Sequence, residues 1–367
     1  MKTVISILLI FFGVFILFSC DHGPIGIFHS LEVETDLEDN DSLENTISVG
    51  DMIRSTNDYY IAAGSVFTRE VSSGSEWSKV PAPSGTDIVY ENSTEIAYAF
   101  SKVFAVFSNA AGDTSTLFEL KGEAWQEVSA LKGKRCDVLV YTADSTGNNE
   151  SLFISVRVSG AYSLYYTLDG TTFTSVPSLT LSRPVTDGAW VSDEYWLLSG
   201  NTILQGSDLT SISEGSVKPD TTADFGGIHY SSNLSVPFIS SDDGFVYIYT
   251  EDDQWINNTT ANEDGFYDFT ELLIDGKTVI LVGSENGYKE MVFADSPGDT
   301  VTLLEPGVSR DSLSSNINYI NTTLSINIIR NFFIDRNDDV YRIFACTSGD
   351  GLWINIPSGT TRVWGRE

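Results

Sequence analysis

The stretch Trp77-Ser78-Lys79-Val80 decides the fold, because it is the first member of a series. A similar stretch, Trp125-Gln126-Glu127-Val128, begins 48 residues later, and Phe173-Thr174-Ser175-Val176 begins 48 residues after that. In each, an aromatic residue is followed three positions later by valine. Similar segments at a nearly fixed interval are typical of repeat architectures in which each unit is one small supersecondary element.

The series continues along the chain in a weaker form. Its later members are Leu209/Ile212, Trp255, Val301/Leu304 and Trp364, which gives seven units. Residues 47–367 consist of short β-branched and aromatic runs broken by Gly, Asn, Asp and Ser, without a helical period, and this favours strands throughout. The sequence therefore predicts an all-β, seven-bladed β-propeller of four-stranded antiparallel blades over residues 47–367. Two tandem β-sandwiches are the alternative, but they give no reason for a recurring aromatic residue.

Three units show their four strands most clearly. The third unit has strand candidates at Asp137–Thr142, Leu152–Val158, Ser163–Thr167 and Thr172–Val176. The fourth has Ala189–Val191, Tyr195–Leu198, Thr202–Gln205 and Leu209–Ile212, and the sixth has Phe269–Ile274, Thr278–Val282, Lys289–Ala294 and Thr300–Leu304. Hairpin turns are predicted at Ser241–Gly244, Glu285–Gly287 and Gly349–Gly351. The last strand of each unit is expected to be outermost, where a large side chain fills the widening wedge between neighbouring blades.

The charge of the chain excludes one class of partner. Its 367 residues include 20 Lys and Arg against 51 Asp and Glu, for a formal net charge of −31. Nucleic-acid affinity comes largely from basic side chains that release counterions, so no nucleic-acid partner is expected. The hydrophobic fraction of 41% exceeds that of disordered chains, so a sizeable core is expected.

The amino-terminal residues predict export. Lys2 precedes the apolar run Val4–Phe18, which is shorter than the roughly 20 residues of a membrane-spanning helix. The following Leu17-Phe18-Ser19-Cys20 resembles the lipobox of bacterial lipoproteins, and Phe18 departs from the usual pattern in a way that resembles spirochaete lipoproteins. The resemblance implies a lipoprotein signal peptide, 1–19, and lipid attachment at Cys20 to a membrane of the cell envelope, inner or outer. An uncleaved hydrophobic anchor with an incidental cysteine is the alternative. Residues 20–46 are predicted to form an acidic tether, because Asp36–Asn45 is acidic and poor in large apolar groups and should stay extended. Within this tether, Ile25–Phe28 is apolar enough to form a short strand docked on the main body.

One hairpin candidate carries a family motif. Thr167-Leu168-Asp169-Gly170-Thr171-Thr172-Phe173 resembles the Asp-box of BNR and sialidase-type propellers, although one residue is missing between Asp169 and Gly170. The other units keep only the aromatic residue of the motif. The overall pattern also resembles propellers of photosystem assembly factors, which are binding platforms. The resemblance implies that Thr167 and Asp169 brace the hairpin rather than contact a ligand.

No catalytic or metal motif is recognised, so neither a cofactor nor a metal is expected. His229 lacks any nucleophile-elbow sequence and is interpreted as a structural histidine on an inner strand, with a place in the central channel as the alternative. Asp335–Asp339 resembles the start of a calcium loop, but Val340 stands where such a loop requires glycine. Cys136 and Cys346 are expected to be small buried residues, with a bridge between them as the alternative.

These observations predict a non-enzymatic binding or assembly platform for an envelope protein or a glycan. The alternative is a sialidase-like hydrolase that uses carboxylates at the channel mouth.

Overall fold

The computed structural model describes most of the chain that follows the tether. The described residues are 43, 47–72, 76–144, 146–249, 254–257, 265–274, 277–292, 302–304, 318–319, 324, 328–336, 342–358 and 361–367. The predicted signal peptide, Cys20 and nearly all of the predicted tether lie outside them. Among the described residues, no helix is long and apolar enough to cross a membrane.

The strands form seven antiparallel sheets, called blades 1 to 7 in chain order. Blade 1 comprises β1 Asp51–Arg54, β2 Asp58–Ala62, β3 Val66–Glu70 and β4 Ser78–Lys79. Blade 2 comprises β5 Asn92–Ala99, β6 Lys102–Ser108, β7 Ser115–Lys121 and β8 Ala124–Glu127. Blade 3 comprises β9 Arg135–Thr142, β10 Ser151–Val158, β11 Ala161–Thr167 and β12 Thr174–Ser175. Blade 4 comprises β13 Asp187–Val191, β14 Glu194–Ser199, β15 Thr202–Gly206 and β16 Ser213–Glu214. Blade 5 comprises β17 Phe225–Ser231, β18 Val236–Ser241, β19 Val246–Tyr249 and β20 Trp255–Asn257. Blade 6 comprises β21 Phe266–Ile274, β22 Lys277–Ser284, β23 Gly287–Val292 and β24 Thr302–Leu304. Blade 7 comprises β26 Ile329–Asp335, β27 Arg342–Thr347, β28 Leu352–Ser358 and β29 Thr361–Arg366.

Within every blade these four strands are hydrogen-bonded in chain order, and the first strand is the inner one, because it contacts the first strands of both neighbouring blades. A short strand, β25 Asn318–Tyr319, pairs in parallel with β29 and adds a fifth strand to blade 7. Ser129–Leu131 forms a 3₁₀ turn, Leu324 also has 3₁₀ conformation, and no α-helix occurs in the described residues. The seven blades form a β-propeller ring, which confirms the predicted fold class.

The hydrophobic core lies between blades, in seven clusters of described residues. Each cluster combines side chains from two consecutive blades, because a single four-stranded sheet cannot bury both of its faces alone. One cluster joins blade 7 to blade 1, since it contains Tyr59 and Trp77 together with Phe344 and Cys346. Two tandem β-sandwiches would have no cluster of this kind, so the ring excludes that alternative.

Backbone hydrogen bonds also connect the two ends of the ring. The Val49 amide donates to the Thr347 carbonyl at 3.0 Å, and the Gly351 amide donates to the Ile47 carbonyl at 2.9 Å. The ring therefore closes by packing and hydrogen bonding between blades 7 and 1, while the four antiparallel strands of each of these blades follow one another in the chain.

The repeating aromatic residue has a packing role on one face of its blade. Trp77 is 2% exposed in the cluster between blades 7 and 1, whereas Val80 belongs to the cluster between blades 1 and 2. In the same way, Trp125 packs between blades 1 and 2, and Val128 between blades 2 and 3. Successive residues of an extended segment alternate between its faces, so a spacing of three places the pair on opposite faces. In blades 1 and 2 the pair thus links the blade to both of its neighbours.

The outermost strand of blade 4 differs from the prediction. That strand is Ser213–Glu214, not Leu209–Ile212. The Asp208 carboxylate accepts the amide hydrogens of Thr210 and Ser211 at 2.8 and 3.0 Å, and these bonds hold the preceding residues in a turn. Leu209 and Ile212 are still buried between blades 3 and 4, so the hydrophobic part of the repeat was identified correctly but assigned to the wrong backbone conformation.

In the hairpin at Thr167–Phe173, the side chains of Thr167 and Asp169 have the bracing role expected for them. The Asp169 carboxylate accepts the amide hydrogens of Thr171 and Thr172, both at 2.7 Å, and the Thr167 hydroxyl accepts that of Gly170 at 2.9 Å. The bonds from Thr172 and Thr171 hold the pKa of Asp169 well below its usual value. Asp208 makes the equivalent bonds in blade 4.

The predicted turns and cysteines are found as expected. Gly244, Gly287 and Gly349 have φ values of 78°, 84° and 93° in turns that join the second and third strands of blades 5, 6 and 7. Cys136 and Cys346 are free, fully buried and placed in different clusters, so no bridge joins them.

Candidate functional site

Four carboxylates lie on inner strands and face the next blade around the ring. Their oxygens accept backbone amide hydrogens from the neighbouring inner strand: Asp51 from Ile96, Glu95 from Leu139 at 3.3 Å, Asp187 from Ile228 at 2.7 Å and Asp268 from Phe332 at 2.8 Å. The side-chain amide of Asn331 in blade 7 donates to Asp51 in blade 1 at 2.8 Å. The carboxylates thus connect inner strands that share no sheet.

All four of these amides follow β-bulges in their own inner strands. The strand register shifts between Ser93 and Glu95, between Cys136 and Val138, between Phe225 and Ile228, and between Ile329 and Asn331. A bulge leaves one residue without a partner in its own sheet. The carboxylate of the preceding blade supplies an acceptor at this point, so each bulge and carboxylate form one connection between blades.

Burial at these positions raises the carboxylate pKa values. Desolvation raises the pKa of Glu95 to about 7 and that of Asp187 to about 6. The pKa of Asp51 is well above its usual value, mainly because of burial and next because of repulsion from Glu95. The pKa of Asp268 is also well above its usual value, mainly because of burial and next because of repulsion from Asp187. The carboxylates are close enough to one another to repel when ionised.

A cavity of about 470 Å³ opens at the carboxyl-terminal ends of the inner strands, over blades 3 to 7. Its lining residues are Tyr141, Thr142, Ala143, Asp144, Gly188, Ala189, Trp190, Ile228, His229, Tyr230, Ser232, Asn233, Glu271 and Arg336. Loops and strand ends from several blades meet here on a rigid scaffold, an arrangement that commonly carries binding sites. We call this cavity the mouth cavity.

A histidine–glutamate pair forms part of its wall. His229 Nε2 lies 2.9 Å from Glu271 Oε2, and the Asn233 side-chain amide donates to the other carboxylate oxygen. Burial alone would raise the pKa of Glu271, but the bonds from His229, Ser231 and Asn233 and the nearby imidazole outweigh it, and the pKa is lowered. Arg336 donates to the Glu271 backbone carbonyl at 3.0 Å. Blades 5, 6 and 7 are thus linked through Glu271.

Local backbone structure aims His229 toward blade 6. The residue follows the bulge in β17, and bulges re-aim the side chains next to them. Gly227 lies in that bulge, and a Cβ there would lie 2.6 Å from the Tyr267 carbonyl oxygen. Only glycine therefore permits the close approach of blades 5 and 6 that brings His229 to Glu271.

The structure places the residues singled out in the sequence as follows. His229 lies on an inner strand, as expected, and also lines the mouth cavity at the channel. Asp335 is bonded to Arg54 and Tyr59 between blades 7 and 1, which accounts for its carboxylate oxygens, while residues 337–340 of the calcium-like segment lie outside the described residues. In the part of the chain that is described, no group of three or more His, Cys, Asp or Glu residues could hold a metal ion.

Sequence reasoning missed most of the residues that form the site. It did not identify Glu271, Asn233 or the carboxylates that connect inner strands. The available signal was an acidic residue inside an otherwise apolar inner strand, as in Asp187-Gly188-Ala189-Trp190-Val191 and Asp268-Phe269-Thr270-Glu271-Leu272. With 51 acidic residues in the chain, that signal is visible only once the strand positions are known.

Comparisons with known proteins show the fold alone. No family model and no curated protein matches the chain. Among solved structures it is similar to the extracellular domain of a protein described as a one component system from B. thetaiotaomicron, with a TM-score of 0.58, 11% identity, and coverage of 86% of this chain and 39% of that one. It is also similar to PorZ, a surface component of the type-IX secretion system of Porphyromonas gingivalis, with a TM-score of 0.51, 13% identity, and coverage of 88% and 39%.

A third similar structure is an enzyme, virginiamycin B lyase from Staphylococcus aureus, with a TM-score of 0.56, 9% identity, and coverage of 84% of this chain and 94% of that one. The chain spans only 39% of the length of the first two structures. Bacterial extracellular domains, surface components and enzymes therefore share this propeller fold, and function has to be argued from the site.

Proposed function

We propose that this chain is a lipid-anchored propeller of the bacterial cell envelope that binds a protein or glycan partner at the mouth cavity without catalysing a reaction. The observation that carries the proposal is the cavity itself, which strand ends from blades 3 to 7 build on the rigid frame of the ring. Similar structures from bacterial extracellular and surface proteins support the location.

The ionisation of the acidic groups in the cavity favours binding over hydrolysis. A glycosidase of the common type needs one protonated carboxylic acid next to a second carboxylate. Both Glu271 and Asp144 line the cavity, but each is held in its ionised form. Hydrogen bonds from Thr146 and neighbouring groups lower the pKa of Asp144, and those from His229 and Asn233 contribute to the lowered pKa of Glu271.

Capture from envelope membranes tests the binding role. The wild-type chain and two variants are immobilised and exposed to detergent-solubilised envelope. Trp190→Ala changes the cavity wall, whereas Leu168→Ala changes an exposed side chain outside the cavity lining. The proposal expects a partner that wild type and Leu168→Ala retain and Trp190→Ala loses. Equal capture by all three folded proteins would reject the cavity as the binding site.

Lipid attachment is tested separately. The lipobox resemblance of Leu17–Cys20 is its only support. A diacyl anchor would exceed the marginal membrane binding of a single acyl chain. Cells that express the wild type and Cys20→Ala are labelled with a radioactive fatty acid. The proposal expects label on the wild type alone; no label on the wild type, or label that persists in Cys20→Ala, rejects the anchor.

A hydrolase is the second candidate, and one observation favours it. Asp187 directly precedes Gly188 in the cavity lining, and burial raises the pKa of Asp187 to about 6, as a general acid requires. Its bond to the Ile228 amide at 2.7 Å gives the same carboxylate a structural role. New reducing ends formed from a glycan by wild type, but not by Asp187→Asn, would favour the hydrolase over the binding platform.

A further inference from the structure

Four consecutive blades carry an aromatic residue at the next-to-last position of the inner strand. These residues are Tyr98 in β5, Tyr141 in β9, Trp190 in β13 and Tyr230 in β17. The other three inner strands have Ile or Leu at this position. The last three of the four aromatic residues line the mouth cavity and form its aromatic wall.

The side chains of this wall are held in place before any ligand binds. The rings of Trp190 and Tyr195 meet edge to face, with centroids 4.5 Å apart and an interplanar angle of 81°. Tyr141 is 38% exposed, and its hydroxyl donates to Glu150 at 3.1 Å. A ligand that contacts these rings therefore orders few side chains, which reduces the entropic cost of binding.

Much of the remaining lining is polar. It includes the amide of Asn233, the hydroxyl of Ser232, the imidazole of His229 and the guanidinium of Arg336. The buried Glu271 carboxylate, with a side chain 6% exposed, lies within hydrogen-bond distance of His229 and Asn233. This polar wall presents several kinds of hydrogen-bonding group to the same cavity.

We propose that the mouth cavity binds a neutral oligosaccharide, with sugar rings stacked along the aromatic wall and hydroxyls bonded to the polar wall. The inference rests on the proposed binding function and names its ligand class. A sugar ring has C–H groups on its faces and hydroxyls around its rim, so its two kinds of surface match the two walls. A cavity of about 470 Å³ is in the size range of small-molecule sites.

Charge and shape favour this ligand over the alternatives. A chain with a net charge of −31 repels polyanionic glycans at long range. A protein partner would usually bury about 800 Å² on a broad face, whereas the aromatic residues of this site converge on a concave cavity. A protein partner is therefore treated as an outcome of the test.

The test is a calorimetric titration of the full mature chain with a panel of neutral oligosaccharides, namely hexamers of glucose, mannose and N-acetylglucosamine in several linkages. Polygalacturonate serves as the polyanion. The proposal expects a neutral oligosaccharide to bind, polygalacturonate not to bind, and Trp190→Ala to weaken binding at least about tenfold. Leu168→Ala, in an exposed hairpin, is expected to bind as the wild type does. Tyr141→Ala, at the most exposed ring of the wall, replaces Trp190→Ala if the latter does not fold.

Three results would overturn the inference: no binding of any neutral oligosaccharide in the panel, tighter binding of polygalacturonate, or equal weakening by the cavity and control variants. Capture of an envelope protein that depends on Trp190, without any glycan binding, would overturn the glycan ligand and leave the proposed binding function intact. Absence of both glycan binding and Trp190-dependent capture would reject both.

Discussion

Glu95→Gln is expected to stabilise the propeller at alkaline pH. Because burial raises the pKa of Glu95 from 4.5 to about 7, the native state holds a proton over an interval of pH in which the unfolded chain has lost it. The free energy of unfolding therefore falls as pH rises from about 4.5 to 7. A shift of this size makes the ionised form cost about 3 kcal/mol at pH 8, but less than about 1 kcal/mol at pH 5. Glutamine has nearly the same shape and can still accept the Leu139 amide hydrogen.

The assay is urea denaturation of wild type and variant at pH 5 and pH 8. The expected gain in the free energy of unfolding for Glu95→Gln is about 3 kcal/mol at pH 8 and below about 1 kcal/mol at pH 5. Glu91→Gln, an exposed change four residues earlier in the chain, is the control and should follow the wild type at both pH values. A variant that is no more stable than wild type at pH 8, or whose gain is independent of pH, would refute the reasoning.

Three further predictions concern the frame of the ring. Trp77→Ala should lower the free energy of unfolding by about 3–5 kcal/mol in urea denaturation, because it empties part of the cluster between blades 7 and 1; the exposed Ser78→Ala should change it little. Asp169→Ala should speed hydrogen exchange at the amides of the two threonines that follow it, while glycan or partner binding at the mouth cavity stays unchanged. Cys136 and Cys346 should both resist a thiol reagent in the native protein and react after unfolding, because both side chains are fully buried. Burial also raises the pKa of Cys136 to about 12, which disfavours the reactive thiolate. Fast reaction of either native thiol would contradict this packing.

The propeller fold could be predicted because the information that specifies it is local and repeated. A Trp and a Val three positions apart, as at Trp77/Val80 and Trp125/Val128, contact opposite faces of an extended segment, and the recurrence of similar segments indicates a series of sheets that pack on both sides. The residues at which individual strands begin and end were harder to predict from the sequence. In blade 4, for example, the side chain of Asp208 decides that a hydrophobic segment forms a turn rather than a strand.

The candidate site could be predicted only in part, because its residues come from different blades. His229 was identified because histidine is rare in this chain, but its partner Glu271 lies 42 residues away and is one of many acids. The bulges that turn amides toward the next blade have no clear signature in the sequence. The shape of the mouth cavity therefore depends on how neighbouring inner strands align. That alignment cannot be predicted from a motif within a single strand.

Site-specific photo-crosslinking in intact cells tests the central claim most directly. A photoreactive phenylalanine analogue replaces Tyr141 in the wall of the mouth cavity or, in a second strain, Leu168 on an exposed hairpin outside it. The account predicts a discrete crosslinked glycan or protein adduct from position 141 and none from position 168. An adduct from position 168 alone, or the same adducts from both positions, would contradict the claim that this propeller binds its partner at the mouth cavity.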